Sequence, residues 1–123
     1  MKDMKLNEGS AESATGRYAV LVADNFQYMD SGQHFELGTY ATLDEAIEAS
    51  MGVVTHWLTD EWKPGMTAEQ LYGQYVSFGE DPFIIDGQPP DDPEAEIVAL
   101  FSAWEFAKRM APVIVAVKSA AHR

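Results

Sequence analysis

The chain contains no cysteine. That excludes a disulfide framework, a thiolate metal site and a cysteine nucleophile. Between residues 18 and 107 it has a single basic side chain, Lys63, against 17 acidic ones. A nucleic-acid surface needs cations to neutralise phosphates, so direct binding of nucleic acid is not expected. Long apolar runs are lacking too. The most apolar stretch, 111–117, falls far short of the roughly 20 residues a membrane helix requires. Residues 1–16 hold no apolar core of a secretory leader. The expectation is a cytoplasmic protein with no membrane partner. No phosphate-cradling or dinucleotide-binding glycine pattern occurs, and no cofactor is expected.

What the chain does have is material for a core. Of its 123 residues 46% are hydrophobic and 11% aromatic, which suits a folded domain and not an acidic disordered tail. The formal net charge is −12, and its distribution is uneven. The other basic residues sit at the ends: Lys2, Lys5 and Arg17 before the acidic stretch, and Lys108, Arg109, Lys118 and Arg123 after it. An acidic middle and a basic end favour a partner of opposite charge.

Residues 1–16 show no periodicity and read as a flexible arm, leaving 17–123 as a single domain. Residues 17–23 and 34–40 read as two strands of a hairpin, joined by a loop over 24–33 with turn residues at both ends. In the second strand Phe35 and Leu37 are expected on one face, Glu36 and Gly38 on the other. Thr42-Leu43-Asp44-Glu45 matches a capping box and opens a helix that must stop before Pro64-Gly65. Its apolar stripe is Leu43, Ile47, Met51, Val54 and Leu58. Thr67-Ala68-Glu69-Gln70 is a second capping box, and Gly79 is expected to end that helix. Glu80-Asp81-Pro82 reads as a turn and Phe83-Ile84-Ile85 as a short strand. Asp92-Pro93 is expected to start the last helix, with Ile97, Leu100, Phe101, Trp104, Ala107 and Ala111 as its buried stripe. Pro112 would kink or end it, and 113–117 read as strand by β-branching but as helix by the continuing stripe, the favoured reading. The element order is β-β-α-α-β-α. The fold class is α+β, a small antiparallel sheet packed by about three helices.

The string from Tyr18 through Asp24-Asn25-Phe26 and Tyr28-Met29-Asp30, with Gly38-Thr39-Tyr40 and Asp44-Glu45-Ala46, resembles a set of small bacterial proteins of unknown function. Lys63-Pro64-Gly65-Met66-Thr67 and Phe78-Gly79-Glu80-Asp81-Pro82-Phe83-Ile84 extend the likeness, which spans roughly residues 17–85. It implies no activity, cofactor or partner.

Asp24, Asn25, Asp30 and Glu36 are oxygen ligands near one loop, the set a hard cation would want. Phe26 and Tyr28 break the calcium-loop spacing, and turn formation explains the residues better, so no metal is expected. His34, His56 and His122 are isolated from one another. The adjacent pairs Asp60-Glu61, Glu80-Asp81 and Asp91-Asp92 point in different directions on any regular element, so no catalytic residue is assigned. The leading reading is a non-enzymatic acidic binding module that docks a basic protein. Its contact residues would be Asp24, Asn25, Phe26, Tyr28 and Asp30 in the first loop and Glu80, Asp81 and Phe83 near the second turn. The alternatives are an acidic mimic of nucleic acid that blocks a nucleic-acid-binding protein, and a small-substrate enzyme without a recognisable motif. The basic end could also pair with the acidic body of a second copy, giving a homodimer.

Overall fold

The computed structural model describes residues 16–24, 34–88 and 92–122. Its elements are β1 (Tyr18–Asp24), β2 (His34–Tyr40), α1 (Leu43–Glu61), α2 (Ala68–Phe78), β3 (Glu80–Asp86), β4 (Glu96–Ile97) and α3 (Ala103–His122). The α+β reading holds. The four strands form one antiparallel sheet in the order β2-β1-β3-β4. The arm expected over 1–16 lies outside the described residues except for Gly16, which packs so closely on β2 that a Cβ would sit 2.5 Å from the Tyr40 amide nitrogen.

Both capping boxes form. Thr42 Oγ1 accepts from the Glu45 amide at 3.2 Å while the Glu45 carboxylate accepts from the Thr42 amide at 3.3 Å. Thr67 and Gln70 repeat the exchange at 3.1 and 2.9 Å. Each box satisfies two amides that the helix itself leaves without partners. Along α1 the buried positions are Ala46, Ser50, Val54 and Leu58, spaced four apart. Leu43, Ile47 and Met51, expected on that stripe, are only half-buried beside it. Ser50 is buried without penalty because its hydroxyl donates to the Ala46 carbonyl at 2.8 Å.

Val54, Leu58, Trp62, Leu71, Tyr75, Ala103, Ala107, Ala111 and Ile114 make the helical core. The three alanines along α3 keep side-chain bulk low where that helix meets α1 and α2. Val20 and Ile84 pack with Ala46 of α1 on one sheet face. Ala19, Leu21 and Ile85 form a separate cluster with Phe83 and Ala95.

Three expectations need correction. Residues 92–102 are not the start of the last helix. Asp92 organises a turn, accepting from the Glu94 amide at 2.9 Å and the Gln88 amide at 3.1 Å, and the chain then adds β4 to the sheet. The helix begins at Ala103, where Ser102 Oγ accepts from the Glu105 amide at 3.3 Å. Ile97 and Leu100 therefore lie outside the buried stripe, 67% and 75% exposed. Pro112 sits inside α3, which runs on to His122, so the favoured helical reading of 113–117 holds. Pro112 and Lys108 are both exposed, so water can serve the carbonyl that the missing N–H leaves open. Glu80-Asp81-Pro82 is the first part of β3 and not a turn. Proline is tolerated there because β4 pairs only with Ile85 and Asp86, which leaves the other side of β3 open at Pro82. Finally, a bulge breaks the alternation in β2. Val20 pairs with Gly38 and Leu21 with Glu36, so Leu37 is the extra residue.

The glycines give a paired test of the helical core. A Cβ on Gly79 would lie 2.7 Å from the Tyr75 carbonyl oxygen and against its ring, whereas Gly52 and Gly73 have nothing within 4 Å. Gly79→Ala should cost about 1–3 kcal/mol through overpacking. Gly52→Ala and Gly73→Ala, within α1 and α2, should each stabilise by roughly 0.5–1 kcal/mol. Urea denaturation of the three variants checks the opposite signs.

Candidate partner-binding surface

β1 and β3 are antiparallel and equally long, so their ends build two separate acidic ends, roughly 20 Å apart at about 3.3 Å per residue. At one end the register sets Asp24 opposite Glu80 and Ala23 opposite Asp81, with Leu21 opposite Phe83 at mid-strand. Three of the eight contact residues read from the sequence, Asp24, Glu80 and Asp81, thus come together although about 55 residues of chain separate them, while Phe83 lies at the middle of β3, packed on the Ala19, Leu21 and Ile85 cluster. Asn25, Phe26, Tyr28 and Asp30 lie outside the described residues.

Tyr75 fixes this end. It is fully buried, with Trp57 and Trp104 edge-on to its ring at centroid distances of 5.7 and 6.5 Å. Its hydroxyl donates to the Glu80 carbonyl at 2.8 Å, and its own carbonyl accepts from the Gly79 amide at the same distance. The next residue, Asp81, is half-buried. Desolvation pushes its carboxyl above the ordinary value, and a hydrogen bond from the Trp104 indole pulls in the opposite direction. Asp81 is therefore tied into the helical layer, while Asp24 is exposed.

The other end holds an open groove of about 460 Å³. It is lined by Arg17 and Asp86, joined in a two-pronged pair, Nε to Oδ1 at 2.8 Å and the terminal nitrogen to Oδ2 at 2.9 Å. Arg17 holds the Asp86 carboxyl below its ordinary value, and Asp86 raises Arg17 in return. Both groups face solvent, so screening keeps the pair's effect on stability small. Gly87 turns the chain at φ +135, where a Cβ would meet the Asp92 carboxylate at 2.7 Å. Asp92, Glu94 and Glu96 also line the groove. The Asp92 carboxylate is occupied by backbone amides, whereas Glu94 and Glu96 are exposed and make no ion pair among the described residues.

The sequence reading missed this groove. Its only signal was the adjacent pair Asp91-Asp92, to which no role was assigned. The contribution of Glu94 and Glu96 was hidden by assigning them to the first turn of a helix. No three His, Asp or Glu among the described residues converge to hold a metal ion. His56 pairs with Asp60 at 3.1 Å on the exposed side of α1. Among the described residues no helix is long and apolar enough to cross a membrane. Comparisons with protein-family models, curated proteins and solved structures gave no match.

Asp81 yields a pH test. Its folded pKa lies above the unfolded value near 3.8, so the folded state binds the proton more tightly. Ionisation therefore costs stability at neutral pH; the cost begins to fall as pH drops below the raised folded value and is gone only below the unfolded one. Asp81→Asn, which keeps an oxygen for the Trp104 indole, should be at least as stable as the parent at pH 7. The advantage should shrink as pH falls toward the unfolded value and be gone below it, as read by urea midpoints across pH.

Proposed function

We propose that the protein is a non-enzymatic acidic binding module that docks a basic protein segment. The observation that carries this reading is the state of the groove. Its one described cation, Arg17, is already committed to Asp86, while Glu94 and Glu96 have no described cation opposite them. A guest lysine or arginine would supply it. Close by in the chain, Ile97 and Leu100 present large apolar side chains to solvent. Apolar anchors with a charged rim are the division of labour expected at an interface: burial supplies affinity, and charge supplies encounter rate and orientation. The acidic strand end at Asp24 and Glu80 adds to the same long-range field.

Imitation of a nucleic acid would want carboxylates in a regular row. On α1 they stand in two groups, Asp44, Glu45 and Glu48 at the start and Asp60 and Glu61 at the end. The turns between carry none, a gap of roughly 18 Å at about 1.5 Å per residue. That arrangement gives the mimic no support. An enzyme reading would need Asp81, the described carboxylate raised by burial, to face a cavity; the groove described above lies at the opposite end of β3 and does not serve it.

The test is a titration of the full chain with a labelled synthetic peptide that alternates lysine and leucine, against a glutamate-for-lysine control. Binding of the lysine peptide alone is expected, weakening on the order of tenfold between low and moderate salt as the Debye length contracts. Glu94→Gln with Glu96→Gln should weaken it severalfold. Salt-independent binding, equal binding of the control, or none at all would overturn the reading.

A further inference from the structure

α3 turns Ala103, Ala107, Ala111 and Ile114 to the core. Among the described residues its other side has no partner: Arg109, Pro112, Val113, Ala116, Val117 and Ala120 are all exposed. At 3.6 residues per turn Arg109, Val113, Ala116 and Ala120 fall on one stripe, with Val117 along its edge. Val113 is 48% and Val117 61% exposed, unusual for two valines on an otherwise amphipathic helix. Lys108 and Arg109 stand at the start of this stripe, and no acidic residue follows Glu105 in the chain.

Elsewhere among the described residues the cations are Arg17, bound to Asp86, and Lys63. The outer side of α3 is thus the described surface where cations and exposed apolar side chains coincide. The segment 94–100 has the complementary make-up, with Glu94 and Glu96 beside exposed Ile97 and Leu100. Resting on the docking role proposed above, we infer that the groove edge of one copy takes the outer face of α3 from a second copy, Lys108 and Arg109 meeting Glu94 and Glu96 while Val113 and Val117 cover Ile97 and Leu100. Two different surfaces meet in this contact, so it is heterologous. Each copy keeps one surface of each kind, and assembly continues head to tail or closes into a ring. The chain's overall negative charge opposes association. At about 150 mM salt that repulsion is screened beyond roughly 8 Å while contacting pairs survive.

The experiment is mass measurement by light scattering at about 150 mM salt, from micromolar to near-millimolar protein. The wild type should rise with concentration well above the 13.6 kDa monomer. Val117→Glu (or Arg109→Glu, should the first disturb the helix by circular dichroism) removes one surface. Glu94→Lys with Glu96→Lys removes the other. Each variant alone should stay monomeric. Mixed in equal amounts they should give a dimer and nothing larger, because one intact surface of each kind remains. Glu36→Lys, on the opposite edge strand, should leave the wild-type assembly unchanged. A wild type that remains monomeric, a mixture that fails to pair, or loss of assembly in Glu36→Lys would each overturn the inference. The peptide titration separates the two failures: a monomer that still binds the lysine peptide loses only this inference, and one that does not bind loses the docking role as well.

Discussion

The structure depends on the burial of one tyrosine. Tyr75 belongs to α2, but its ring is enclosed by Trp57 of α1 and Trp104 of α3, and its hydroxyl ends on the backbone of β3. A buried phenol without a partner would cost about 1–3 kcal/mol, so the bond to the Glu80 carbonyl is a condition of the packing. That bond sets where β3 begins. Gly79 is required by the same contact and not by its backbone angle, since its φ of −74 suits any residue. The space a side chain would need is filled by Tyr75.

From that anchor the acidic ends follow by register. Once Glu80 is fixed, antiparallel pairing places Asp81 beside Ala23 and carries Asp86 to the far end of β1, where Arg17 waits one residue before the strand. Asp81 is drawn inward by Trp104, a member of the same aromatic group. The helical core and the charged surface are therefore linked through a few residues, and changes at Tyr75 would reach both.

Much of this was legible in the sequence because the signals were local. The Thr42 and Thr67 capping boxes each rest on a four-residue pattern, and both helices begin where that pattern says. Both strands of the hairpin were read within a residue. The failure at 92–102 has a local cause as well, because the chain offers two helix starts. Asp92-Pro93 has the residues of a helix start, and Ser102-Ala103-Trp104-Glu105 also matches a capping box. Asp92 instead spends its side chain on the amides of Gln88 and Glu94, while Ser102 and Glu105 make the real start. Only the tertiary structure decides between them, since β4 must reach β3 for Val98 to donate to the Ile84 carbonyl. The β2 bulge and the groove were illegible for the same reason. Both depend on which residues meet across strands.

Charge placement follows from the same misreading. A helix spanning 92–111 would have put Glu94 and Glu96 at its positive end, where the dipole neutralises them. In the folded chain they instead line a groove at the sheet edge, with no helix terminus to absorb their charge. Correcting one helix boundary thus turns two carboxylates that looked structurally satisfied into two that seek a cation. It also exposes Ile97 and Leu100, which a longer helix would have buried. The chemistry that makes this edge a contact surface arises from the ten residues between the competing caps.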